Sequence, residues 1–315
     1  MAAEYEPVNQ NQDPEVDKYL SRLYFWNCVA AALHLGSGIA IAVLTADAGT
    51  WPVYATLRHV LWQPVNASNA GKSCADVACE ITVEEEVIGQ LHLEWLVFTF
   101  HTISALQHVF FITPLGKKQL NKYLKRKMQP YRWLDYALSA SIMQVVIQVL
   151  CGFTDVWTLT LCAVAIATTQ LFGYTVEQYL FFRKYYEEKE EKTDKEMHFV
   201  DKYQFFIFGF VSFTTPWVAV YWSFFDSVGR AKPGPPDWVK GVVFSLLVFF
   251  LCFAGVMRYF IRNYDEPYVA YKAELGYTFF SIVAKAALAW QLYYGAYGRQ
   301  DRELKAYNPA NVTGL

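Results

Sequence analysis

The stretch "SIVAKAALAW", Ser281 to Trp290, places one ammonium-bearing side chain, Lys285, among residues that are otherwise apolar, small or hydroxylated. It sits inside an apolar run from about 270 to 297. About 12 residues to either side, at ~1.5 Å per residue, put ~18 Å of helix between Lys285 and each end. A lysine stem of ~6 Å cannot snorkel that far. If the run crosses a bilayer, the ammonium must be paired, neutral or chemically altered, because a free charge there costs several kcal/mol.

The rest of the chain has the composition of a membrane protein. Its 315 residues are 54% hydrophobic, 18% aromatic and only 18% charged, against about 25% charged for a soluble domain. The formal net charge of -2 implies no nucleic-acid partner. Six further apolar runs, near 22–45, 91–114, 132–152, 156–182, 203–225 and 238–261, have the roughly 20-residue length that a spanning helix needs. Arg132 and Asp135 interrupt the third run, and the fourth ends in Glu177 and Gln178; a bundle can turn such residues inward. The expected fold is an all-α membrane protein, a seven-transmembrane-helix bundle forming one domain over 1–315. The polar, acidic start lacks a basic n-region and a small-residue cleavage site, so it does not read as a signal peptide.

Basic residues orient the bundle. The loop 115–132 carries seven Lys and Arg, 183–202 carries six beside seven acids, and 258–272 carries three. The opposite loops carry two (46–90), none (153–155) and three (226–240). Segment 1–21 is therefore expected in the cytoplasm, and the loop 46–90 and tail 298–315 outside. Both Asn-x-Ser/Thr sequons, at Asn66 and Asn311, fall outside on this topology. The long loop 46–90 has the alternation and turn residues of a small β-ribbon. Cys74 and Cys79 lie in it, where a disulfide is permitted; two free thiols remain the alternative. No metal-ligand spacing links the cysteines.

Desolvation favours the neutral amine of Lys285, and a neutral amine condenses with an aldehyde to form a Schiff base. A functionless buried ion pair is the competing reading. A protonated linkage needs an anion. Asp135, in "RWLDYALSAS", is the best placed; Glu94, Glu177 and Glu274 lie nearer the ends of their runs.

At this point the chain resembles a known family. Seven helices with an Ala-Lys in the last resemble microbial rhodopsins, which hold retinal as a Schiff base, and "RWLD" is similar to the Arg-x-x-Asp of the ion pumps among them. The inverted orientation, Ser281 one turn before Lys285, and "DYALSAS" in place of Glu-Tyr-Ser-x-Ser-Ala-Ser resemble the heliorhodopsins. The resemblance implies covalent all-trans retinal on Lys285. It implies Asp135 as counterion, where the family has Glu, with Ser281, Ser104 and Ser139 near the Schiff base. His34, His108 and Glu177 are implied to form a cytoplasmic polar pocket. Tyr136, Met143, Phe206, Phe213 and Trp217 are expected to enclose the polyene. The lipid bilayer, a second copy in a homodimer and an unidentified cytoplasmic signalling partner are the partners expected, with no enzymatic role.

A pump needs a relay acid on each side of the linkage. Eleven residues after Asp135, where pumps carry a donor, stands Val146. The expected function is a light sensor without active pumping. The alternative is a light-gated passive proton channel, in which Glu94, His101, Gln144 and Gln148 wet the outer half. A receptor for a diffusible ligand is a third class, and it predicts no covalent chromophore.

Overall fold

The computed structural model describes residues 13–45, 53–189, 199–230 and 235–297. Residues 1–12 of the expected cytoplasmic segment, 46–52 of the first loop and the expected tail 298–315 lie outside the described residues. The chain runs α1 (Pro14–Leu44), β1 (Val53–Pro64), β2 (Cys79–Leu91), α2 (Leu93–Ile112), α3 (Pro114–Lys125), α4 (Pro130–Leu150), α5 (Val156–Lys189), α6 (Phe199–Arg230), α7 (Asp237–Arg262) and α8 (Val269–Leu292).

Local chemistry sets several boundaries. The Glu15 N–H donates to the Asp13 carboxylate at 3.0 Å, and Pro14 opens α1. The Thr113 hydroxyl accepts from the Gly116 N–H at 3.1 Å at the start of α3. Proline is tolerated at such first positions because its missing N–H would be unpaired there anyway. Gly152, with φ +88°, follows the end of α4, in a conformation that a side chain disfavours.

Six helices are long and apolar enough to cross a membrane by length and composition: α1, α2, α4, α5, α6 and α7. The seventh long helix, α8, has 24 residues, about 36 Å at ~1.5 Å each, and carries Lys285. Consecutive long helices pack on one another, and α8 returns to α1, so the seven close into a ring. Leu33, Leu106, Leu161, Val211 and Trp222 are exposed on its outside, as lipid-facing side chains must be. Pro216 lies inside α6.

The first loop forms the expected ribbon. β1 and β2 pair antiparallel from Val53 opposite Leu91 to Pro64 opposite Cys79, with one irregularity between Ala55 and Thr56. Cys74 and Cys79 are joined by a disulfide at its turn end.

Two details differ from the sequence expectation. The basic loop after α2 contains a helix, α3, whose apolar Leu120 and Leu124 are buried one turn apart. This helix is too short and basic to register as an apolar run. Arg132 is not a loop residue: it lies in α4, 2% exposed. Six basic residues of that connection, not seven, remain available to orient the chain.

Candidate functional site

Lys285 is 3% exposed and faces the interior of the ring. Its Nζ donates to the Ser281 hydroxyl at 2.8 Å, one turn back on α8. The Asp135 carboxylate of α4 lies 3.7 Å away, an ion-pair distance rather than a direct hydrogen bond. The other Asp135 oxygen accepts from the Ser104 hydroxyl of α2 at 2.7 Å. Three helices thus converge on one buried pair. Ser139, one turn after Asp135, is fully buried, and its hydroxyl has no partner among the described residues. The Tyr136 ring lies 4.9 Å from the ammonium, and its hydroxyl donates to the Tyr277 carbonyl at 3.0 Å.

A cavity opens from Lys285 and Ser281 between α4, α5, α6, α7 and α8. Tyr136, Met143, Phe206 and Phe213 line it, as expected, and so do Trp133 and Phe253. Trp217 does not. It packs on Phe250 with ring centroids 5.7 Å apart and lines a separate groove with Tyr221 and Leu247. Phe213, one turn earlier on α6, lines both the cavity and that groove. Gly173 on α5 is a lining residue that sequence reasoning missed. A Cβ there would lie 2.3 Å from the Trp133 ring, so only glycine lets that indole pack in place. A glycine within an apolar helix was the available signal.

The expected polar pocket separates into two. His34 and His108 do meet, their rings stacked with centroids 5.5 Å apart. They are joined by His101, whose Nδ1 is 3.1 Å from that of His34. His108 pairs through Nδ1 with the Asn27 side-chain oxygen at 2.7 Å. His101 therefore belongs to the α1–α2 seam.

Glu177 is elsewhere. It accepts from the Gln129 N–H at 2.7 Å and from the Arg132 guanidinium, whose other nitrogen donates to Glu274. The reason is the ring order: α4 stands between α5 and α2, so a carboxylate on α5 meets α4 and not α1. Arg132 thereby ties α4, α5 and α8 together in a fully buried cluster. Its guanidinium carbon lies 4.1 Å over the Tyr277 ring and 4.8 Å from the Trp133 ring. Both rings also line the cavity that holds Lys285. Asp135 and Arg132 form no ion pair with each other among the described residues.

Farther along α4 from Arg132, Val146 is fully buried in the apolar core. Gln144 and Gln148 are also fully buried; the Gln144 amide has no hydrogen-bond partner among the described residues, and the Gln148 side chain lies beside the Cys162 thiol. Glu94 is buried at the start of α2, 3.1 Å from His92.

The family model for heliorhodopsins matches residues 23–297, which takes in nearly all of the ring. The chain belongs to the heliorhodopsin family. This heliorhodopsin is an integral, multi-pass membrane protein of a retinal-binding, light-responsive family. No curated protein matches it. The site fits such a chromophore. A single buried amine stands at one end of a cavity whose remaining walls are chiefly aromatic and apolar, and its anion is in place.

Proposed function

We propose that this heliorhodopsin is a light sensor in which Lys285 holds all-trans retinal as a Schiff base and Asp135 is the counterion. The observation that carries the reading is the Lys285–Asp135 pair, 3.7 Å apart, at the mouth of the aromatic cavity. Bound retinal supplies light absorption and a change of shape that reorients the linkage nitrogen. The chain's own residues do the rest. Asp135 compensates the positive charge, which in a low-dielectric interior is needed to keep the proton on the nitrogen. Ser104 and Ser281 fix the two ends of the pair by hydrogen bonds. Beyond Asp135, the imidazole cluster of His34, His101 and His108 would be the group to hold a proton released at the Lys285 nitrogen. Their three Nε2 atoms have no partner among the described residues. A proton that goes to this cluster and returns from it moves charge within the protein and none across the membrane. Nothing in this cycle catalyses a reaction on a substrate.

Asp135→Asn is expected to shift the visible absorption and to leave most of the pigment in the near-ultraviolet, unprotonated form at neutral pH. Removal of the opposite charge disfavours the protonated nitrogen. A spectral titration checks this, and an unchanged titration would assign the counterion to another group.

The passive proton channel is the second reading, favoured by the fully buried amides of Gln144 and Gln148, of which the Gln144 amide has no partner among the described residues. Buried polar groups of this kind are normally satisfied, by water if not by protein. Voltage-clamped cells under continuous light separate the two. The sensor reading expects no sustained current. A steady current reversing near the proton equilibrium potential would replace it with the channel, and a steady current at zero gradient and zero voltage would demand a pump.

We also assign the N-terminus and α3 to the cytoplasm, supported by the six basic residues between α2 and α4. A C-terminal epitope tag should stain on intact cells and an N-terminal one should not; the reverse pattern overturns the assignment. A second copy of the chain and a cytoplasmic signalling protein are the partners proposed with this reading.

A further inference from the structure

We propose that the groove between α1 and α3 binds the headgroup of an anionic phospholipid from the leaflet on that side of the membrane. The argument begins with charge. No Asp or Glu occurs between Glu94 and Asp135, while that interval holds Lys117, Lys118, Lys122, Lys125, Arg126, Lys127 and Arg132. Two of the seven are engaged inward. Arg132 is held by Glu177 and Glu274, and the Lys127 ammonium donates to the backbone carbonyls of Tyr264 and Glu266. The other five form no salt bridge among the described residues, and the four lysines of α3 are exposed.

Geometry turns this surplus into a site. Gly116 lets α3 fold back tightly on the end of α2, since a Cβ there would meet the Phe110 carbonyl oxygen at 1.8 Å. The Tyr271 hydroxyl donates to the Asn121 side-chain oxygen at 3.1 Å, which fixes α3 against α8. The Lys117 ammonium is held 3.5 Å over the Tyr24 ring of α1, a cation–π contact that sets its position. Lys117 and Lys118 then rim a groove whose floor is Leu20, Phe111 and Leu120.

Depth and composition choose the occupant. α3 connects the ends of two membrane-spanning helices, α2 and α4, so it lies at the level of the headgroups. A basic rim over an apolar floor matches a phosphate attached to the start of an acyl chain, whereas a free anion would have no use for the floor. Leu115, 60% exposed on the same short helix, adds an apolar contact to the bilayer. An acidic protein surface would meet the lysines but not the floor.

The test uses the full chain reconstituted with retinal in nanodiscs of equimolar phosphatidylglycerol and phosphatidylcholine, and native mass spectrometry of what it carries on release. Each ammonium near an anionic surface contributes about fivefold in affinity. Lys117→Gln/Lys118→Gln should therefore bind phosphatidylglycerol about 25-fold more weakly, with an unchanged visible spectrum as the control for folding. The wild-type chain should carry phosphatidylglycerol in clear preference to phosphatidylcholine and keep it against added inorganic phosphate. Equal carriage of the two lipids, or equal carriage of phosphatidylglycerol by variant and wild type, would overturn the proposal and leave the patch to an acidic protein. Displacement of the lipid by inorganic phosphate at matched ionic strength would overturn it in favour of a free anion.

Discussion

Lys285→Ala is expected to give a folded protein with no visible absorption band when retinal is supplied. Lys285 is the one lysine lining the aromatic cavity, and no other described amine lies beside Asp135. The change removes the attachment point outright, so the expected effect is complete loss of colour rather than a shift. Loss of the lysine also leaves Asp135 with Ser104 as its remaining hydrogen-bond partner. An unpaired buried carboxylate is costly, so Lys285→Ala/Asp135→Asn is the companion variant: it removes both charges and should recover expression while remaining colourless. A visible band that survives in either variant would refute the assignment of Lys285.

The second large effect is expected at Arg132. Arg132→Ala leaves Glu177 and Glu274 buried without the cation between them. Breaking a buried ion pair from one side typically costs about 3–5 kcal/mol, on the order of 10 °C in the midpoint of thermal bleaching for a chain of this size. Because the guanidinium joins three helices, the loss should be felt across the α4–α5–α8 face rather than locally. Arg132→Ala/Glu177→Gln/Glu274→Gln should recover much of the loss, since neutral amides carry no uncompensated charge. A midpoint unchanged in Arg132→Ala would show that the cluster contributes little. No recovery in the triple variant would show that stacking of the guanidinium on Trp133 and Tyr277, and not neutralisation of the two carboxylates, is what matters.

The difference between these two residues shows what a sequence carries and what it does not. Lys285 was legible because its meaning depends on local context alone: an ammonium in the middle of an apolar run is anomalous in any fold that places the run in a membrane. The seven helices were legible for the same reason, since bilayer thickness imposes a length on each of them independently of its neighbours. The ribbon followed from period-two alternation between two spanning helices. Asp135 was legible as the nearest acid at a matching depth. Its partner Ser104 came through family resemblance rather than from spacing.

What the sequence left open depends on azimuth and on ring order. Arg132 stood at the edge of a basic loop and counted as one of its charges, because nothing in the linear string says that Glu177, 45 residues on, and Glu274, 142 residues on, turn toward it. Only the packing of α4 between α2 and α5 decided that Glu177 faces Arg132 and is cut off from His34 and His108. The same packing brought His101 to His34, and turned Phe213 into the cavity while Trp217 faced the neighbouring groove. Depth in the membrane is written in hydropathy, one residue at a time. Which side chains share a face is a property of seven helices closing on one another, and it exists only once the ring is formed.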